Sequence, residues 1–258
     1  LSLPGCTDKD LLDLKLGLEL GVDAVALSFV RTPKDITFVK DLIRKSSNHK
    51  PLIVAKIERE EAVYAPEGIL EVTDSILIAR GDMAVELGAQ KVPVIQKMLI
   101  RMSNELGVPV ITATQMLESM ISCPTPTRAE ASDVANAVFD GTNAVMLSAE
   151  SASGDYPVVA VETMAKIILE AEGEGDKYSV HRPLTPIHGS VVDSIEYSAS
   201  KIAAHVGAAA IACLTHSGTA ARSLAKYRPQ NPIVAIMDNP ASLRKLAFVW
   251  GVDGVLIP

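Results

Sequence analysis

Three side chains in the first third of the chain offer the most explicit chemistry: Lys56, Glu58 and Asp82. A hard divalent ion such as Mg2+ is commonly held by one or two carboxylates, with substrate oxygens and water completing its shell. Glu58 and Asp82 suit that role because each follows an apolar, strand-like run. The plain alternative is that these acids cap helices or pair with Arg80. Lys56 precedes Glu58 by two residues, so in an extended strand both leave the same face. A lysine pointing into an enclosed mouth needs an anion beside it, since an unpaired buried charge is heavily penalised. Such a lysine could neutralise a phosphoryl group or an enolate, or form a Schiff base. A structural ion pair with Glu58 or Asp82 is the competing role.

Weaker signals surround these three. Gly81 separates Arg80 from Asp82 where a strand gives way to the next segment. Backbone N–H groups freed at such a turn can seat a carboxylate or phosphate, although many turn glycines bind nothing. Thr114 and Gln115 offer hydroxyl and amide donors just before a helix, where N-capping is their ordinary use. Further on, Thr215-His-Ser-Gly-Thr219 joins a strand to a helix start. Its hydroxyls and backbone donors (Thr215, Ser217, Gly218 and Thr219) suit a phosphate or an ordinary capped loop. Arg128, Glu130 and Asp133 open a helix and read as a local charge network.

Positioning these groups requires alternating strands and helices. Thr7–Asp10 forms a capping box before a Leu-rich helix that stops near Gly21. Strands are predicted at 24–29, 52–57, 75–79, 108–113 and 143–147. Between them the sequence predicts a helix opening at Thr32-Pro33, short helical pieces through Leu70, and helices at 92–106, 116–121 and 128–139. A last helix runs from Tyr156-Pro157 to about Glu172. Strands separated throughout by helices must be parallel with right-handed crossovers. In 54/56/58, 78/80/82, 110/112/114 and 146/148/150 one face turns from apolar to polar at the strand's end, with a weaker version at Ala26 and Ser28. Several strands ending alike favour a (β/α)8 barrel, whose chemistry sits on the C-terminal rim, over a doubly wound sheet with one switch point. Five strands cannot close the eight-stranded TIM barrel, so only a portion of one is expected. Residues 1–172 are therefore expected to form a partial barrel, 173–188 a linker rich in Gly, Pro and charge, and 189–258 a second, partial α/β domain. In that second domain, helices are predicted at 191–206, 218–227 and 241–250, with strands at 209–214, 233–237 and 254–257.

Composition narrows the field. With 258 residues, 48% hydrophobic and 21% charged, disorder is excluded, and 4% aromatics imply an aliphatic core. A net charge of −7 argues against a nucleic-acid surface. No apolar run approaches the roughly 20 residues that span a bilayer, so a soluble chain without membrane partners is expected. Cys6, Cys123 and Cys213 are far apart and lack C-x-x-C spacing, which points to a reducing compartment and against a zinc site or disulfide framework. The five histidines show no H-x-x-x-H pairing. The chain starts at Leu1, and is expected to be a fragment or processed form.

The segments 53–58 (IVAKIE), 78–82 (IARGD), 111–120 (ITATQMLESM), 126–130 (PTRAE), 133–138 (DVANAV), 146–150 (MLSAE) and 154–157 (GDYP) occur in an order and spacing that resembles the pyruvate kinase family. The likeness covers nearly the whole chain. It implies phosphoryl transfer from phosphoenolpyruvate to ADP in glycolysis, giving pyruvate and ATP, by an allosteric, cytoplasmic homotetramer. It implies further that Glu58 and Asp82 ligate Mg2+, and that Lys56 stabilises the moving phosphoryl group and the enolate. Ala79, Arg80 and Gly81 match the turn whose backbone receives the substrate carboxylate, with Asp82 and Thr114 beside it. Ser148 and Glu150 match residues of the water and proton path to pyruvate. Thr215–Thr219 resembles a sugar-phosphate effector loop, although Ala220 stands where some members carry a hydroxyl. The family's K+ ligands, first strands and inserted lid have no counterpart here, so the chain alone is expected to be inactive or nearly so. A Mg2+-dependent aldolase or lyase acting on a pyruvate enolate, and a non-catalytic phosphosugar-binding module, are the competing functions.

Overall fold

A computed structural model describes residues 6–174, 184–186 and 190–257. The first domain comprises α1 (Asp8–Leu20), β1 (Ala24–Leu27), α2 (Pro33–Ser46), β2 (Leu52–Ile57), α3 (Glu60–Tyr64), α4 (Glu67–Val72) and β3 (Ser75–Ala79). It continues through α5 (Arg80–Leu87), α6 (Val92–Leu106), β4 (Val110–Ala113), α7 (Arg128–Asp140), β5 (Ala144–Met146), α8 (Ala149–Ala152) and α9 (Pro157–Gly173). Helix starts follow the capping chemistry of the sequence. The Thr7 N–H donates to Asp10 Oδ2 at 2.7 Å, and the Asp10 N–H returns to Thr7 Oγ1 at 3.2 Å. The Thr127 and Glu130 pair repeats the arrangement at α7, with 2.8 Å and 3.2 Å bonds.

The five strands lie in the order β1-β2-β3-β4-β5, every neighbouring pair parallel. This is an α/β fold, a partial (β/α)8 barrel. Alternation along the strands divides the core in two. Ile53, Ala55, Ile57, Ile76 and Ile78 pack outward against Ile36, Val39 and Leu99 of the helices. Val54, Leu77, Ala79, Ile111 and Ala113 line the other face. Full burial of each Val, Leu or Ile side chain among them contributes about 1.5–3 kcal/mol.

The second domain contains α10 (Val191–Val206), β6 (Ile211–Leu214), α11 (Thr219–Ala225), β7 (Ile233–Met237), α12 (Pro240–Lys245) and β8 (Val252–Leu256). Its strands form a parallel β6-β7-β8 sheet over Ala221, Leu224, Ile233, Ala235 and Leu246. It meets the barrel at the N-terminal ends of the strands. Phe248 packs against the inner-face cluster, as do Ala24 and Ala144 at the starts of β1 and β5. Arg244 Nε bonds both Asp23 oxygens at 2.9 Å, and Arg228 Nη2 donates to Gly141 O at 2.6 Å. The Arg228 guanidinium also lies 4.6 Å from the Trp250 ring centre, and Trp250 Nε1 donates to Glu172 at 2.9 Å. Burial at this seam lowers the Arg228 pKa to about 10, against the opposing pull of Glu172.

Several expected boundaries shift. Strand β1 stops at Leu27, because Phe29 adopts a left-handed φ of 57°. Strand β4 starts at Val110, and 116–121 supplies only a 3-10 turn, Glu118–Ile121. The helix predicted over 241–250 ends at Lys245 and passes into a 3-10 turn at Leu246–Phe248. Arg80 and Asp82 belong to α5, not to a strand face, since the backbone turns at Ala79. The charge network predicted within the start of α7 is instead a contact between elements: Asp133 pairs with Arg80 at 2.7 Å. The linker predicted over 173–188 lies outside the described residues, apart from its first two residues and 184–186.

Candidate active site

Each candidate residue of the first domain lies at or just after the C-terminal end of a strand. Glu58 comes directly after β2, with a fully buried side chain, while Lys56 within β2 retains 25% side-chain exposure. The Phe29 N–H donates to Glu58 Oε1 at 2.5 Å. The other oxygen, Oε2, is buried and accepts no hydrogen bond from the described residues. Lys56 Nζ lies 3.3 Å from Oε2, close enough for an ion pair but without hydrogen-bond alignment. The ammonium donates instead to Ser28 Oγ at 2.9 Å. A buried carboxylate oxygen with a cation beside it and no donor on it is poised to accept a further positive charge.

Asp82 lies in the first turn of α5, exposed, with no hydrogen-bond or ion-pair partner among the described residues. It therefore neither caps a helix nor pairs with Arg80. The Arg80 side chain is 8% exposed and turns away to brace β4. Its guanidinium donates to the carbonyls of Ala113 (3.2 Å), Thr114 (2.6 Å) and Gln115 (3.2 Å), to Gln96 (3.3 Å) and to Asp133. Those bonds hold a strained turn, since Thr114 and Gln115 have φ of 68° and 52°. That turn delivers Thr114 Oγ1 to the Gly81 N–H, 2.8 Å away, joining the ends of β3 and β4.

Ser148 and Glu150 sit together after β5. Glu150 is buried, and its two oxygens accept the N–H groups of Leu117 (3.2 Å) and Ser148 (2.7 Å). The carboxylate thus fixes the turn that carries Ser148. In the second domain, Thr215 Oγ1 accepts the Gly218 N–H at 3.1 Å, and the Ser217 and Thr219 hydroxyls are 2.9 Å apart. His216 Nδ1 meets Asp238 at 2.6 Å. This loop belongs to the other domain, whose contacts with the barrel lie at the opposite strand ends from Lys56, Glu58 and Asp82.

Sequence reasoning placed Ser28 on a strand's polar end without giving it a role, and passed over Phe29 and the contacts of the Arg80 side chain. Ser28 had a signal: Ala26 pairs with Val54 and Leu27 with Ala55, so the next residue stands beside Lys56. Nothing in the residue types announced a left-handed Phe29. Glu58 Oε2 and the unpaired Asp82 fit Mg2+, which needs few protein carboxylates. No group of three or more His, Cys, Asp or Glu able to hold a metal occurs among the described residues. Nor is any described helix long and apolar enough to cross a membrane.

Comparison with known proteins gives two matches to family models: "Pyruvate kinase, barrel domain" over residues 1–161 and "Pyruvate kinase, alpha/beta domain" over 193–258. Among curated relatives, a pyruvate kinase of Staphylococcus saprophyticus is 47% identical over 257 residues, covering 99% of this chain and 44% of the relative. Pyruvate kinase 2 of Synechocystis is 49% identical, covering 100% of this chain and 43% of that protein. The pyruvate kinase of Clostridium acetobutylicum is 46% identical, covering 99% and 54%. The chain thus spans about half the length of the curated relatives it matches.

Proposed function

Since the chain belongs to the pyruvate kinase family, we propose that it supplies the later β/α units of a phosphotransferase that moves the phosphoryl group of phosphoenolpyruvate to ADP, giving pyruvate and ATP. The observation that carries the reading is Glu58 Oε2, buried without a hydrogen bond and 3.3 Å from Lys56 Nζ. Glu58 and Asp82 would hold Mg2+, which supplies charge neutralisation for the substrate's carboxylate and enol oxygens when bound. Lys56 contributes a fixed positive charge to a transition state in which negative charge spreads over the transferred group. The start of α5, with its Ala79, Arg80 and Gly81 backbone, orients the substrate carboxylate, and Thr114 ties that turn to β4. Ser148, on a turn fixed by Glu150, takes part in the proton path to pyruvate. We extend the reading to K+ dependence, a sugar-phosphate effector at Thr215, Ser217, Gly218 and Thr219, and a cytoplasmic homotetramer.

A coupled assay on the complete protein tests the reaction. ATP formed from phosphoenolpyruvate and ADP supports it, whereas aldehyde-dependent consumption of pyruvate would replace it with an aldolase. For the 258-residue chain alone the expected turnover is nil, because β1 and β5 are the unpaired edges of a five-stranded sheet. Measurable turnover by that chain overturns the expectation.

A further inference from the structure

Resting on the reading of Glu58 as a metal ligand, we propose that Ser28 is a positioning residue that keeps the Lys56 ammonium from capturing the Glu58 oxygen the cation needs. Three groups carry the inference. Lys56 Nζ lies between two acceptors, Ser28 Oγ at 2.9 Å and Glu58 Oε2 at 3.3 Å, and among the described residues it hydrogen-bonds the hydroxyl alone. Glu58 cannot swing away from the lysine, since its side chain is fully buried and Oε1 is tied at 2.5 Å to the Phe29 N–H. Phe29 in turn holds its N–H there in a left-handed conformation that a phenylalanine rarely adopts. Adjacent residues of one turn, Ser28 and Phe29, thus fix the lysine and the carboxylate separately.

The physical consequence is a competition. A charge-assisted hydrogen bond between ammonium and carboxylate is stronger than one from an ammonium to a neutral hydroxyl. Removing the hydroxyl therefore sends Lys56 onto Oε2, in a buried setting where the pair, once aligned, resists displacement. A divalent cation must then break that bond before it can bind. Ser28 sets the spacing at which lysine and carboxylate stay attractive without satisfying each other.

The test measures Mn2+ binding by the complete protein, using the free-ion paramagnetic resonance signal and calorimetry, with no substrate and no turnover. Ser28→Ala is expected to raise the Mn2+ Kd about tenfold, within the range for residues that orient metal ligands. Ser28→Thr, which retains a hydroxyl, stays within about twofold of the parent if orientation is the cause. In a Lys56→Met background Ser28→Ala is expected to have no effect, since the competing ammonium is gone; a merely structural role would persist there. Glu58→Gln separates the two readings. If it weakens Mn2+ binding while Ser28→Ala does not, or if the Ser28→Ala effect survives in the Lys56→Met background, the positioning role is overturned and the metal site stands. If the parent chain binds no Mn2+, or Glu58→Gln leaves binding unchanged, the metal site falls and the positioning role falls with it.

Discussion

At the residue scale, the site depends on which polar atoms are satisfied and which are left open. Asp82 has no partner among the described residues, and Glu58 has one open oxygen; the other carboxylates after strand ends are spoken for. Asp82→Asn keeps the size of the side chain and removes its charge. In the complete protein it is expected to weaken Mg2+ by at least about tenfold and lower turnover with it, judged by metal titration and steady-state rates. Turnover and affinity like the parent's would refute the assignment. Glu130 provides a contrasting case. Burial pushes its carboxyl up, but hydrogen bonds from Ser119 and Thr127 outweigh that and hold it below the ordinary glutamate range. A carboxylate with a depressed folded pKa contributes stability above its unfolded pKa and loses it as pH falls through the folded one. Denaturant midpoints taken downward from pH 5 should therefore fall less steeply in Glu130→Gln than in the parent.

Among the elements, tight turns bear the strictest demands. Gly218 starts α11 at φ 82°, and a Cβ there would approach Leu246 Cδ2 to 2.8 Å. Gly218→Ala combines backbone strain with overpacking and should cost about 1–3 kcal/mol, visible as a lowered chemical-denaturation midpoint. The regular elements were legible beforehand because their signals are local. Thr7-Asp-Lys-Asp10 and the closing Gly21 bound α1, and Leu52–Ile57 and Ile233–Met237 are strands over the predicted residues. Polar residues after strand ends were legible too, since alternation reports a strand's faces. Parity stopped being informative once the chain left the strand. Arg80 and Asp82 share parity with Ile78, yet α5 sends one side chain beneath β4 and leaves the other exposed. The left-handed turns at Phe29 and Thr114-Gln115 were hidden for a different reason. They are imposed by distant partners, Glu58 and Arg80, and not by their own residue types.

Across the whole molecule, two domains join through a few strong contacts at the strands' N-terminal ends. Arg228 bonds the carbonyls of Gly141 and Thr142 while stacked on Trp250. Arg228→Met retains much of the bulk and loses the charge-assisted bonds, worth about 1.5–3 kcal/mol each. Calorimetry is expected to show one unfolding transition in the parent and two in the variant; one unchanged transition would show that the apolar seam alone couples the domains. Phe248 belongs to that seam and packs, like Ala24 and Ala144, against the inner-face cluster of the β1–β5 sheet. Its position limits how freely such proteins can trade parts. A grafted second domain without a bulky ring at that position would leave its new host with an oily, unsealed floor, so recombination between relatives should succeed only where ring and socket are inherited as a pair.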